Sequence, residues 1–254
     1  MENPWRMKME HFTRFSDAER ARLDELVSEP HQRRHDGGAD IIRDGEHSPD
    51  CHVILSGIAC RYKIVPDGGR QIMAFLVPGD LCDAEIFILK TMDHGVAALS
   101  PTTTALVPGE VIGELVRSSG ALSSALWWGT LTDLAVLRER IVDHGRRDSH
   151  ERLAHLLYEL LVRYRMVGRS KDNAIDFPMT QADLADATGM TPVHANRMLQ
   201  KLRSEGLISL SGKTLKVLDP ERLRTLAGFN ANYLHLDRAH DARDGVADRA
   251  GDLV

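Results

Sequence analysis

Residues 177–217 constrain this chain more than any other segment, because they set two short helices and a hairpin around a single glycine corner. Thr180 is placed to cap a first helix whose apolar positions Leu184, Ala185 and Ala187 face inward, and Gly189 breaks the chain for a tight turn. Thr191 then caps a second helix with Pro192 at its first position, where the missing N–H costs nothing. Along that helix Ala195, Met198, Leu199 and Leu202 form one apolar face. Val193, Asn196, Arg197 and Gln200 recur at i, i+3, i+4 and i+7 spacing on the opposite face. Beyond Gly206, residues 207–210 and 213–217 read as two short strands around a turn at Ser211-Gly212. The pattern predicts a winged helix-turn-helix.

The outward face of the second helix carries the chemistry. Arginine donates to guanine O6 and N7, and asparagine or glutamine pairs with adenine N6 and N7, so Asn196, Arg197 and Gln200 suit a major groove. Lys201, Arg203 and Lys213 are better placed for phosphates. The whole chain of 254 residues carries a formal charge of −5, which excludes a uniformly basic coat. DNA, however, feels the face it touches. From Thr191 to Lys216 the charged residues are Arg197, Lys201, Arg203, Lys213 and Lys216 against the one acid Glu205. Any one of these alone would read as a solvated side chain; with the caps, the glycine turn and the basic wing, the set points to double-stranded DNA.

The rest of the sequence predicts an α+β protein. Runs at 51–55, 58–65, 71–77 and 103–107 are rich in Val, Ile, Ala and Thr, and Gly- or Pro-containing turns separate them, as in a small antiparallel barrel or roll. Residues 121–145 read as one long helix in which Trp127, Leu131, Leu134, Arg138 and Ile141 follow the 4,3,4 spacing of a coiled-coil seam. A second apolar side on the same helix requires two partners, its own β-roll and another subunit; the alternative is a core helix of a monomer. A further amphipathic helix spans 148–166, with Ser149 placed to cap it and Gly168 to end it. Before the roll come a short polar arm and a helix at 17–27 capped by Ser16. The expected divisions are 1–120 for a β-roll sensor with its N-terminal helix, 121–147 for a dimerisation helix, 148–229 for the winged helix-turn-helix, and 230–254 for a flexible tail.

The chain resembles the Crp/Fnr family of bacterial regulators over residues 32–229. The resemblance is carried by Met179-Thr-Gln-Ala-Asp-Leu-Ala-Asp-Ala-Thr-Gly-Met-Thr-Pro-Val-His-Ala-Asn-Arg, by Leu202-Arg-Ser-Glu-Gly-Leu-Ile and by Gly212-Lys-Thr. In the sensor half, Gly57, the 66–70 turn and Val77-Pro-Gly-Asp-Leu add to it. It implies a cyclic-nucleotide-binding-like β-roll, a homodimer and a near-palindromic operator with half-sites about one helical turn apart. It also implies that Arg197 is the principal groove-reading arginine, and that Gln181 and His194 touch the DNA backbone. Val193 falls where many members place a base-reading acid, and Pro192 where the cyclic-AMP-responsive ones place a second arginine, so the half-site should differ from theirs. Members commonly activate by touching RNA polymerase, which makes polymerase a further expected partner.

No such clarity attaches to the signal. Members that bind a cyclic nucleotide use a Gly-Glu pair for the ribose and an Arg-Ser pair for the phosphate. Here Leu81-Cys-Asp-Ala-Glu-Ile-Phe and Met92-Asp-His-Gly-Val stand in those places, with no arginine and with Asp93 to repel an anion. An N-terminal cysteine cluster for iron–sulfur is also missing from residues 1–30. The candidate effector residues are Asp83, Glu85 and His94, and Cys60 with Cys82 is the candidate redox pair, against a reading of all three cysteines as buried and structural. No cofactor is expected; were haem or a metal held, Cys82 and His94 would be its ligands. A cupin-like metalloenzyme finds no support, since no His-x-His occurs. A DNA-binding adaptor that responds to no signal is the alternative. Apolar runs too short to span a membrane, three cysteines without a C-x-x-C pair and a start without an apolar core predict a cytoplasmic protein with no membrane partner.

Overall fold

The computed structural model describes residues 2–83, 86–89 and 91–235. Its first element is a surprise against the sequence reading, which expects a polar arm. Asn3 caps a short helix α1 (Pro4–Met9) through the Trp5 and Arg6 amides, and Trp5, only 2% exposed, and Met9 enter the core. Six residues carry too little periodicity to announce a helix. Helix α2 (Asp17–Leu26) begins as expected at Ser16, in a capping box with Glu19.

Seven strands then build the roll: β1 (Gln32–His35), β2 (Asp40–Ile42), β3 (Asp50–Ser56), β4 (Ala59–Ile64), β5 (Arg70–Leu76), β6 (Gly95–Ala98) and β7 (Thr102–Pro108), with helix α3 (Ile86–Leu89) between β5 and β6. They form two antiparallel sheets, ordered β1-β7-β3 and β2-β6-β4-β5. The four runs seen in the sequence are β3, β4, β5 and β7; β1 and β2 are polar enough to escape a hydrophobic pattern. Gly57, at the β3–β4 corner, has φ +81°, and a Cβ there would stand 2.5 Å from the Pro101 carbonyl oxygen, so only glycine fits.

Directly after β7 a helix α4 (Gly109–Ser118), which the sequence reading does not include, buries Ile112 and Leu115. Ser119 then caps α5 (Gly120–Arg146), within one residue of the predicted long helix at each end. Helix α6 (Ser149–Met166) follows; its cap is Asp148, in a capping box with Glu151, and Ser149 is its first helical residue. The C-terminal part comprises β8 (Ala174–Asp176), α7 (Gln181–Thr188), α8 (Pro192–Ser204), β9 (Ile208–Ser211), β10 (Thr214–Val217) and α9 (Pro220–Ala227), with a sheet ordered β8-β10-β9.

The apolar core does not divide where the predicted domains do. One cluster joins Ile58, Cys60, Ile72 and Phe75 of the roll to Leu157, Leu161, Leu184, Leu199 and Leu215 beyond it. The other holds Trp5, Leu23, Val53, Cys82, Ile112 and Leu122 on the N-terminal side. Buried ions tie these regions further. Lys8 and Arg163 both donate to Asp80, at 2.7 and 2.5 Å, while Arg140 bridges Asp143 and Glu159 at 2.7 and 2.6 Å. Burial alone would raise the Asp80 carboxyl, but Lys8 and Arg163 hold it below the usual carboxylate value.

The expected flexible tail also needs correction at its start. Residues Ala231–Leu234 form a 3₁₀ turn in which Leu234 is buried and the Tyr233 hydroxyl donates to Glu159 at 2.8 Å; the His235 ring meets Trp128 edge-on. The remainder of that tail, 236–254, lies outside the described residues.

Candidate nucleic-acid interface

Two caps fix the angle at which α7 and α8 leave the turn. The Thr180 hydroxyl accepts from the Asp183 amide at 3.1 Å, while the Asp183 carboxylate accepts from the Thr180 amide at 2.8 Å. At the far end Gly189 takes φ +64°, the left-handed C-cap conformation that β-carbons disfavour. Thr191 accepts from the His194 amide and Pro192 opens α8. Leu184, Ala185, Ala187, Ala195, Leu199 and Leu202 are buried between the helices, with Met198 half-buried beside them.

This packing turns the predicted reading row outward. Val193, Arg197 and Gln200 are exposed and Asn196 is half-buried, while Thr180, Gln181, Thr191, Pro192, Lys201 and Arg203 are exposed around them and His194 is half-buried. The Arg197 guanidinium reaches His194 Nδ1 at 2.5 Å, and Arg203 donates to Gln200 Oε1 at 3.1 Å. Both contacts lie within one turn of helix and in water, so a nucleic acid can replace them at small cost. The wing differs from its prediction by one residue. Ser211 pairs with Thr214, so the turn residues are Gly212 and Lys213, and Lys213 stands exposed at the tip.

Sequence reasoning missed what holds this unit to the roll. From β5, Arg70 donates to Asp186 at 2.7 Å and to Asp183 at 2.6 Å, and Gln71 donates to the Asp186 carbonyl at 2.7 Å. Asp183 thus serves the Thr180 cap and the roll at once. The Thr-x-x-Asp spacing announces the cap; nothing local announces the contact with Arg70, 113 residues away.

The candidate sensor residues are engaged in the fold. Asp83 is fully buried and accepts from the His52 amide and faces its Nδ1, each at 2.8 Å. Arg61 of β4 donates to the Leu81 and Cys82 carbonyls at 2.7 and 3.0 Å and to Asp133 of α5 at 3.0 Å, a bridge from sheet to long helix that the sequence did not reveal. His94 is buried, with Nδ1 on Asp93 at 2.6 Å and Nε2 without a hydrogen-bond partner. Glu85 lies outside the described residues. The redox pair is not assembled: Cys60 and Cys82 are free, fully buried and in different apolar clusters. Burial pushes the Cys60 thiol up to about 12 and the Cys82 thiol well above its ordinary value, the reverse of a reactive thiolate. Among the described residues no three His, Cys, Asp or Glu side chains gather to hold a metal ion.

On α5 the seam residues Trp127, Leu131, Leu134, Arg138 and Ile141 are all exposed, Trp127 to 63% and Ile141 to 73%, while Ala125, Ala135 and Val136 bury the other side. Among the described residues no helix is long and apolar enough to cross a membrane.

A β-roll joined by a long helix to a winged helix-turn-helix, with a basic and acid-poor reading face, defines a DNA-binding transcription regulator. Residues 151–226 match the family of Crp-like helix-turn-helix domains, and residues 32–119 match that of cyclic nucleotide-binding domains. The nitrogen fixation regulation protein FixK of Rhizobium meliloti is 28% identical over 192 residues, 74% of this chain and 83% of that protein. The fumarate and nitrate reduction regulatory protein of Vibrio cholerae is 25% identical over 217 residues, 85% of each. The structure of FixK2 from Bradyrhizobium japonicum superimposes with a TM-score of 0.70 at 24% identity, covering 79% of this chain and 98% of that one, which shows the shared fold. This chain belongs to the Crp/Fnr family, a family of transcription regulators and not of enzymes.

Proposed function

We propose that the protein works in the cytoplasm as a homodimer on a near-palindromic operator, with α8 of each protomer in a major groove. The observation that carries this reading is the solvent-facing row Val193, Asn196, Arg197 and Gln200 on a helix fixed at both ends of its turn. Arg197 reads guanine, Asn196 and Gln200 favour adenine, and Thr180, Gln181, Thr191, Pro192, His194, Lys201, Arg203 and Lys213 line the backbone. The exposed seam Trp127, Leu131, Leu134, Arg138 and Ile141 is the dimer contact, which a two-fold operator requires. A signal at the roll acts by favouring one packing of the two α5 helices over another, and RNA polymerase is the partner through which an activator would work.

One observation favours a second reading, in which DNA binding needs no small molecule. Asp83 and Arg61, the charged groups that an effector in the roll would meet, are already bonded to His52, to backbone carbonyls and to Asp133. Selection of sites from random duplex DNA by the purified protein, without added ligand and at fixed salt, tests both readings. An enriched inverted repeat supports the dimeric reader, and tight binding to it without ligand supports the second reading. A single, non-repeated half-site would remove the homodimer.

A further inference from the structure

Val193 is the most exposed large apolar side chain among the described residues, at 81%. The other exposed large apolar side chains on the described helices lie along α5 and at the end of α3, whereas Val193 has none beside it on α8. Helix stability does not explain it. Valine is a weaker helix former than most residues, and the first turn of a helix favours acids, which meet the positive end of the dipole. Packing does not explain it either, because its neighbours toward the core, Ala195 and Leu199, are covered without it. What remains is the face it shares with Arg197, one turn on.

We infer that Val193 is a specificity-determining residue that reads the C5-methyl of a thymine in the operator half-site; this rests on the placement of α8 in the major groove. A valine offers no acceptor to the cytosine amino group and no donor to guanine or adenine N7. The thymine methyl is the one apolar group on the major-groove edge of the base pairs. The Cβ atoms of residues four apart on a helix stand about 5–6 Å from each other. Successive bases on a strand rise about 3.4 Å. The thymine therefore lies one or two base pairs from the guanine read by Arg197.

The test removes the methyl from the DNA and not only the valine from the protein. In the selected operator each thymine is replaced in turn by deoxyuridine, in both half-sites together, and binding is measured for the wild type, Val193→Ala and Arg197→Ala. Burying a methyl-sized group is worth about fourfold in affinity per half-site. The wild type should lose that factor in each half-site, about sixteenfold in all, at one thymine near the Arg197 position, and Val193→Ala, with unchanged melting temperature, should be indifferent to the same replacement. Indifference of the wild type to every deoxyuridine, or an undiminished methyl effect in Val193→Ala, overturns the assignment while an intact Arg197 effect leaves the placement of α8 standing. If Arg197→Ala also left affinity and base preference unchanged, the placement itself would fall, and the assignment with it.

Discussion

In the β-roll, Arg61, His52 and Asp83 are buried and bonded to backbone or to each other, whereas on α8 Arg197, Gln200 and Arg203 are exposed and bonded only within a turn. Both regions are polar; α8 packs on one apolar cluster through Ala195, Leu199 and Leu202, while Cys51, Val53 and Cys82 beside His52 and Asp83 belong to the other. A buried ion keeps its partner because water cannot replace it, so it fixes one conformation of the chain. An exposed guanidinium exchanges partners freely and keeps its donors available for another molecule. The contrast predicts that removing a charge in the first region costs folding, and that removing one in the second costs recognition.

The largest effect should come from Asp80. Asp80→Ala strands Lys8 and Arg163 without their shared carboxylate, and breaking such a buried pair costs roughly 3–5 kcal/mol. Urea unfolding checks this, and a loss under about 1 kcal/mol would show the ions to be solvated rather than locked. The pH dependence has a definite sign. Because the folded carboxyl is held below its ordinary value, its contribution is whole above about pH 4 and is lost as pH falls through the depressed folded value. Asp80→Asn should lack that acid-side loss.

Next in size is Arg197→Ala, expected to cost about 1–3 kcal/mol on the preferred site and to relax base choice at one position without lowering stability. Lys213→Ala at the wing tip should instead weaken all sequences alike and reduce the salt slope by about one. If Arg197→Ala lowered the melting temperature as much as the affinity, the distinction between the two regions would fail on its second side.

The same contrast governs what could be read from the sequence. The α8 face was legible because its residues lie on one helix, where spacing alone assigns Ala195 and Leu199 inward and Arg197 and Gln200 outward. The caps at Thr180 and Thr191 and the corner at Gly189 were legible for the same reason: their partners lie three or four residues away. The wing slipped by one residue, since Ser211-Gly212 and Gly212-Lys213 are both acceptable turn pairs and only pairing of Ser211 with Thr214 decides. Helix α1 was hidden because its apolar residues are few and make sense only against a core assembled from distant strands. Arg61 with Asp133 and Arg70 with Asp183 were hidden altogether, because the partners meet across 72 and 113 residues.

The smallest effect should be that of oxidation. A switch built on Cys60 and Cys82 needs thiolates that solvent can reach, but both thiols are fully buried, and burial pushes Cys60 up to about 12. A thiol raised in the folded state gives stability that is whole below its ordinary value, about 8.5, and is lost as pH climbs toward the folded one. At neutral pH it therefore stays protonated and inert. Native protein should resist iodoacetamide at pH 7.5 and label at Cys51, Cys60 and Cys82 only in denaturant, and operator affinity should be equal in reducing and oxidising buffer. Stoichiometric native labelling, or an affinity that follows the redox state, would mean that the roll opens in solution far enough to expose its core, and the rigidity that separates it from α8 would be lost.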